Sequence, residues 1–169
     1  YSSMGRLQGS MGISATDFNR DGMLDIYVTN FLGEANNFFT QIVQSPQAVY
    51  SDVALEVNLA LPTVPAVGWG TQFLDADLDG DADLFVANGH VDESVPFSEP
   101  AQLAMLFENS GARFVAVTGG SEYLRKKLYG RAVARLDWNR DGLEDLCVSH
   151  MGAPVALLTN SSTRQGNFV

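Results

Sequence analysis

Apolar positions along the chain gather into short runs that alternate with polar, glycine-rich stretches. Ile26-Tyr-Val28, Leu84-Phe-Val86 and Leu146-Cys-Val148 are β-branched, aromatic and aliphatic, and too short for helices. They predict three outgoing strands, ending at Asn30, Asn88 and His150. An incoming strand is predicted before each, over 11–16, 68–74 and 131–136, and a third strand after each, over 37–43, 103–108 and 155–159. A fourth, over 48–53 and 113–117, completes the first two units, and in the third only its start is expected. Segments 55–61 and 122–128 read as short helical turns, and 91–100, with two prolines and acidic residues, as a surface loop.

Four short antiparallel strands per unit, repeated, is the make-up of a propeller blade. The expected fold is therefore all-β, a partial β-propeller of about three blades: one over 10–60, one over 66–122, and an incomplete one over 129–169. Propellers close with roughly four to eight blades, so three would leave blade faces uncovered, with association as the liability. The chain opens on Tyr1 and breaks off at Val169, so the parent protein is expected to continue at both ends.

Between incoming and outgoing strands the same polar loop is written three times. It reads Asp17-Phe-Asn19-Arg-Asp21-Gly22-Met23-Leu-Asp25, then Asp75-Ala-Asp77-Leu-Asp79-Gly80-Asp81-Ala-Asp83, then Asp137-Trp-Asn139-Arg-Asp141-Gly142-Leu143-Glu-Asp145. Oxygen side chains at loop positions 1, 3, 5 and 9, a glycine at 6 and a backbone carbonyl at 7 suit a hard cation that takes about six to eight oxygen ligands. An EF-hand opens in the same way but closes with a glutamate at position 12 between helices. Position 12 here is Val28, Val86 or Val148, and the flanks are strands. Acidic turns using Asp, Asn and Gly for turn chemistry alone are the other reading of one such loop; three copies with identical spacing favour calcium, up to three ions.

Charge changes the picture little once the loops are counted. The net charge is −10, yet twelve of the twenty acidic residues lie inside the loops, and ten of them at ligand positions. Three bound Ca²⁺ would bring −10 to −4. There is no basic stripe to neutralise phosphates, so nucleic acid is not an expected partner. Cys147 is the one cysteine, which excludes an internal disulfide and a cysteine-based zinc site; it reads as an apolar filler on a strand. No window reaches the roughly 18 apolar residues of a membrane span, and this stretch carries no signal peptide.

Nothing points to catalysis. His90 and His150 are the only histidines, and G-x-S-x-G, H-E-x-x-H and P-loop motifs are absent. His150 fills the strand-end slot of Asn30 and Asn88, which implies hydrogen bonding or packing. His90-Val-Asp92-Glu93 is the more site-like group. Trp69 is expected in the core between blades, and Trp138, at the loop position of Phe18 and Ala76, as a packing residue.

The combination resembles the FG-GAP/VCBS repeats of integrin-alpha-like propellers, and is closest to the bacterial ASPIC/UnbV proteins related to cartilage acidic protein. Ser10-Met-Gly, Asp25-Ile-Tyr-Val-Thr-Asn-Phe-Leu-Gly-Glu34, Gly68-Trp-Gly-Thr, Asp83-Leu-Phe-Val-Ala-Asn-Gly-His-Val91, Leu106-Phe-Glu-Asn-Ser-Gly111 and Gly130-Arg131 carry it. The resemblance implies a seven-bladed, calcium-binding, secreted or surface-displayed propeller used for adhesion or recognition of a protein or glycan, with an ASPIC/UnbV domain following in the parent chain. It assigns ligand roles to Asp17, Asn19, Asp21 and Asp25, to Asp75, Asp77, Asp79 and Asp83, and to Asp137, Asn139, Asp141 and Asp145, with the carbonyls of Met23, Asp81 and Leu143 at position 7. Asn19 and Asn139 stand where a carboxylate is usual, so the first and third loops are expected to bind more weakly. Thr40-Gln41 and Asn160-Ser-Ser162 also depart from the family's third-strand motif. The alternative functional reading is that the parent is a secreted carbohydrate-active or other hydrolytic enzyme, of which this is the propeller part.

Overall fold

The computed structural model describes residues 5–43, 47–91 and 99–163. The described residues are all-β and form three antiparallel sheets, none closed on itself. The first contains β1 (Ile13–Thr16), β2 (Asp25–Val28), β3 (Asn37–Val43) and β4 (Val49–Asp52), in chain order. The second repeats that order with β5 (Gly68–Leu74), β6 (Asp83–Asn88), β7 (Met105–Asn109) and β8 (Phe114–Ala116). The third has β9 (Gly130–Leu136), β10 (Asp145–His150) and β11 (Ala156–Leu158).

Register is repeated within each of the three units. Each polar loop closes between a pair at the same place: Thr16 faces Asp25, Leu74 faces Asp83, and Leu136 faces Asp145. A one-residue slip would turn every apolar side chain to the wrong face. The outgoing strands are the most buried, and all six residues of β6 are buried.

The sheets pack in chain order. Tyr27 and Phe38 of the first sheet meet Phe73, Leu84, Val86, Phe107 and Phe114 of the second, and Phe38 and Tyr27 are fully buried. The rings meet edge-on as well as stacked; Phe18 stacks on Phe114 with centroids 5.2 Å apart and meets Phe38 edge-on at 5.3 Å. Between the second and third sheets the filling is smaller: Leu74, Phe85 and Ala87 against Leu146 and Val148. The incoming strands approach closely, with β1 beside β5 and β5 beside β9. Two glycines permit it: a Cβ on Gly12 would stand 1.9 Å from the Trp69 carbonyl oxygen, and one on Gly70 2.5 Å from the Val133 nitrogen.

The expected helical turns are present, with one displacement. Helix α1 covers Ala60–Thr63, not 55–61, because Asn58 takes a left-handed φ of 66°. That turn brings the N–H groups of Leu59 and Ala60 onto one acceptor, the Ala54 carbonyl, at 2.8 and 3.0 Å. Tyr123–Arg125 is a single 3₁₀ turn. Residues 103 and 104 fall outside β7, since Asn88 Nδ2 donates to the Leu103 carbonyl. Most of the expected 91–100 loop, and the start of a fourth strand in the third unit, lie outside the described residues. Among the described residues no helix is long and apolar enough to cross a membrane.

Candidate metal centre

The three loops adopt one backbone. Position 4 is left-handed in each, at Arg20 (φ 59°), Leu78 (φ 64°) and Arg140 (φ 61°), and so is the position 6 glycine at Gly22, Gly80 and Gly142. Left-handed φ is easy for glycine and strained for arginine or leucine, so the side-chain hydrogen bonds that hold the turn must outweigh that strain.

Those bonds are the same three times. The position 1 carboxylate accepts two backbone N–H groups, from positions 5 and 6: Asp17 from Asp21 and Gly22 at 3.0 and 2.9 Å, Asp75 from Asp79 and Gly80 at 3.1 and 3.0 Å, Asp137 from Asp141 and Gly142 both at 3.1 Å. The position 5 carboxylate accepts the N–H of position 7: Met23 donates to Asp21, Asp81 to Asp79 and Leu143 to Asp141, each at 2.8 Å. Position 3 accepts the position 5 N–H through Asn19, Asp77 or Asn139.

Position 9 does more than end the loop. Asp25, Asp83 and Asp145 are buried, and each spans its strand's two neighbours. One oxygen accepts the N–H of position 2, Phe18, Ala76 or Trp138; the other accepts an N–H of the third strand or its end, Gln41, Asn109 or Asn160, at 3.0, 2.7 and 2.8 Å. Burial pushes the Asp83 carboxyl up to about 7 despite the bonds from Asn109 and Ala76 that pull it down. Burial likewise raises Asp25 and Asp75. A buried carboxylate held this way favours a proton or a cation beside it.

The second loop is where acidic groups converge. Oxygens of Asp75, Asp77 and Asp83 lie within 4.8 Å of one another. Asp79 stands outside that group, and the acids of the first and third loops form no comparable one among the described residues. The difference has a chemical cause. In those loops the Asn19 and Asn139 amides donate to Asp21 and Asp141 Oδ2 at 2.8 and 2.7 Å, so position 3 neutralises part of its own loop. Asp77 has no proton to donate when ionised, and the second loop therefore holds four ligand-position carboxylates with mutual repulsion. This donor set, all hard oxygen, fits Ca²⁺.

Compared with family models and with curated proteins, the chain matches none.

Adjacent loops are also joined. Arg20 donates to the Gly80 carbonyl at 2.6 Å and pairs with Asp81 at 2.5 Å. Glu144 accepts the Asp75 N–H at 3.0 Å through Oε2 and pairs with Arg135 at 2.8 Å through Oε1. A signal for Glu144 was present: position 8 is otherwise apolar, as Leu24 and Ala82.

The remaining residues singled out by the sequence have structural surroundings. His90 is 2% exposed, with its ring against Phe31 and its carbonyl accepting from Arg131. His150 lies between Tyr123 Oη and the Pro154 carbonyl, both 2.8 Å away; the carbonyl can only accept, so Nδ1 donates to it. Trp69 is partly buried, donates to the Gly89 carbonyl at 2.7 Å and carries the Arg131 guanidinium 4.5 Å above its ring. Trp138 is 51% exposed and so only half a packing residue; its indole N–H donates to Thr159 Oγ1 at 2.9 Å, over the end of β11. Cys147 is half-buried on β10.

Proposed function

We propose that the chain is a calcium-stabilised part of an FG-GAP/VCBS-type β-propeller, acting outside the cell in adhesion or in recognition of a protein or glycan. The observation that carries the metal reading is the convergence of Asp75, Asp77 and Asp83 in a loop whose position 3 cannot neutralise itself. Asp75, Asp77, Asp79 and Asp83, with the Asp81 carbonyl, would hold the ion there; Asp17, Asn19, Asp21, Asp25 and the Met23 carbonyl, and Asp137, Asn139, Asp141, Asp145 and the Leu143 carbonyl, would form weaker sites. The ion's contribution when bound is to offset carboxylate repulsion. The chain's own residues then hold the incoming strand's end against the outgoing strand's start. The order of the three sheets, each in sequence order and each packed on the next, supports the propeller reading.

An extracellular setting would accompany an affinity typical of extracellular calcium modules. Extracellular calcium modules bind at about 0.1–1 mM, a range in which loops of this kind fill outside cells and empty in cytosol. Calorimetric titration of calcium into the metal-free chain tests the reading. Expected is at least one site in the sub-millimolar to millimolar range, weakened about tenfold or more by Asp77→Asn; absence of binding heat at any calcium concentration in that range contradicts it. A glycan and protein array probed with and without calcium tests the second half, with retention expected only in calcium.

A further inference from the structure

The calcium site proposed for the second loop draws its ligands from one unit, yet the backbone of one ligand is held by another unit. We propose that Glu144 of the third unit is a positioning residue for that site: it fixes the backbone of Asp75, so the second unit does not complete the site alone. The inference rests on the calcium reading and names a residue outside the loop on which the ion depends.

The β5–β6 ladder ends at the pair Leu74–Asp83. The next two N–H groups lie past it, and each goes to a carboxylate: Ala76 donates to Asp83 at 2.9 Å and Asp75 to Glu144 at 3.0 Å. Asp83 belongs to the same loop, whereas Glu144 is at position 8 of the next one. The Asp75 carboxylate is already tied at both oxygens, Oδ1 to the Asp79 N–H and Oδ2 to the Gly80 N–H. It therefore moves with the turn, and its distance from Asp77 and Asp83 follows from where the Asp75 backbone sits.

Glu144 is itself held in place. Its neighbour Asp145 is 1% exposed and accepts the N–H groups of Trp138 and Asn160. Arg135 pairs with the second Glu144 oxygen at 2.8 Å and donates to the Phe73 carbonyl at 3.2 Å, which ties Glu144 to β5 just before Asp75. The ion pair also decides how Glu144 acts. With a guanidinium beside it, Glu144 brings little net charge to the loop, and its hold on the Asp75 backbone is the larger effect. The first loop has no such support: one unit on from Asp17, position 8 is Ala82, whose side chain has no acceptor to offer.

Outer partners that orient metal ligands are typically worth about 10–100-fold in affinity. Glu144 bonds the backbone of a ligand residue and not its carboxylate, and its side chain is 38% exposed, so an effect of about three- to tenfold is expected. Linkage makes it reciprocal: calcium in the second loop strengthens the Glu144 contact by the same factor and so tightens the junction of the second and third sheets.

Amide NMR of the full chain, titrated with calcium chloride from the metal-free state, tests this, with Gly80 reporting on the second loop and Gly22 on the first. Without metal, the Asp75 N–H should be protected from hydrogen exchange and lose roughly tenfold of that protection in Glu144→Ala. The calcium midpoint at Gly80 should rise about three- to tenfold in this variant, and that at Gly22 by less than about twofold. Glu144→Gln keeps an acceptor for the Asp75 N–H and should restore most of both losses. A Gly80 midpoint equal in the natural chain and Glu144→Ala overturns the proposal and leaves the calcium reading standing; a Gly80 signal that ignores calcium in the natural chain overturns both. Weakening in Glu144→Gln equal to that in Glu144→Ala, with the Asp75 N–H still protected, would assign the effect to charge and overturns the positioning role.

Discussion

Asp83 accepts the backbone N–H of Asn109 at 2.7 Å, twenty-six residues further along, while its other oxygen accepts that of Ala76. One buried carboxylate thus fastens the middle strand of the sheet to both neighbours at the loop end. Asp83→Ala would leave one buried N–H group, that of Asn109, and one part-buried, that of Ala76, without partners, at roughly 1–3 kcal/mol for the first and less for the second. A loss of about 1–4 kcal/mol in denaturant unfolding of the metal-free chain is expected. Asp79→Ala removes only an exposed acceptor and should change metal-free stability by less than about 1 kcal/mol. Equal losses would refute the division of labour between the two positions.

Acid should stabilise the chain when no cation is present. Burial lifts the Asp83 carboxyl from 3.8 to about 7, so the folded form binds its proton more tightly than the unfolded form. The resulting stabilisation is full below pH 3.8 and is lost as pH rises through about 7. Asp25 and Asp75 shift in the same direction. Between pH 7.5 and 5.5 the midpoint in EDTA should rise by roughly 4–8 °C, from about 2 kcal/mol at Asp83. A fall over that interval would contradict the burial argument.

Gly70→Ala should weaken the contact between second and third sheets. Its Cβ would press on backbone, 2.5 Å from the Val133 nitrogen and 2.7 Å from the Arg131 oxygen, neither of which can step aside. Overpacking of this kind costs about 1–3 kcal/mol, read as a lower midpoint in a thermal melt. An unchanged midpoint would mean that β5 and β9 are not held at the observed distance.

Two substitutions in the third loop should act in opposite directions. Arg140 is exposed with φ 61°, and Arg140→Gly relieves the strain without removing packing, for a gain of roughly 0.5–1 kcal/mol. Gly142 has φ 86° and open space around its Cα, so Gly142→Ala imposes strain alone, at about 1 kcal/mol. Chemical denaturation of both variants in EDTA checks the pair.

The strand order was legible because the loops mark it. An Asp-rich turn of fixed spacing, followed by Ile26-Tyr-Val28 or its counterparts, places incoming and outgoing strands on either side, and β3 and β5 were recovered to the residue. The displacement of α1 escaped the sequence because it turns on the left-handed φ of Asn58, which an apolar pattern over 55–61 does not encode. Within the site, the loop residues were legible as repeated oxygen donors. The second hydrogen bond of each position 9 aspartate was not, since its partner lies 15 to 26 residues away and is a backbone N–H that any residue supplies. Arg20 was missed for a related reason: it acts between loops, and spacing within one loop carries no trace of the next; Glu144 stood out only as the one charged residue at position 8, which does not say what it meets.

The central claim is that these loops are structural calcium sites, and a thermal melt in EDTA and across a calcium series, repeated on Asp79→Ala, tests it most directly. The midpoint should climb over the millimolar range, by about 2.7 kcal/mol of stability per site at a hundredfold excess over Kd, and the variant should lose part of that climb. A midpoint that ignores calcium in both proteins would reduce the three loops to turns and remove the support for an extracellular module.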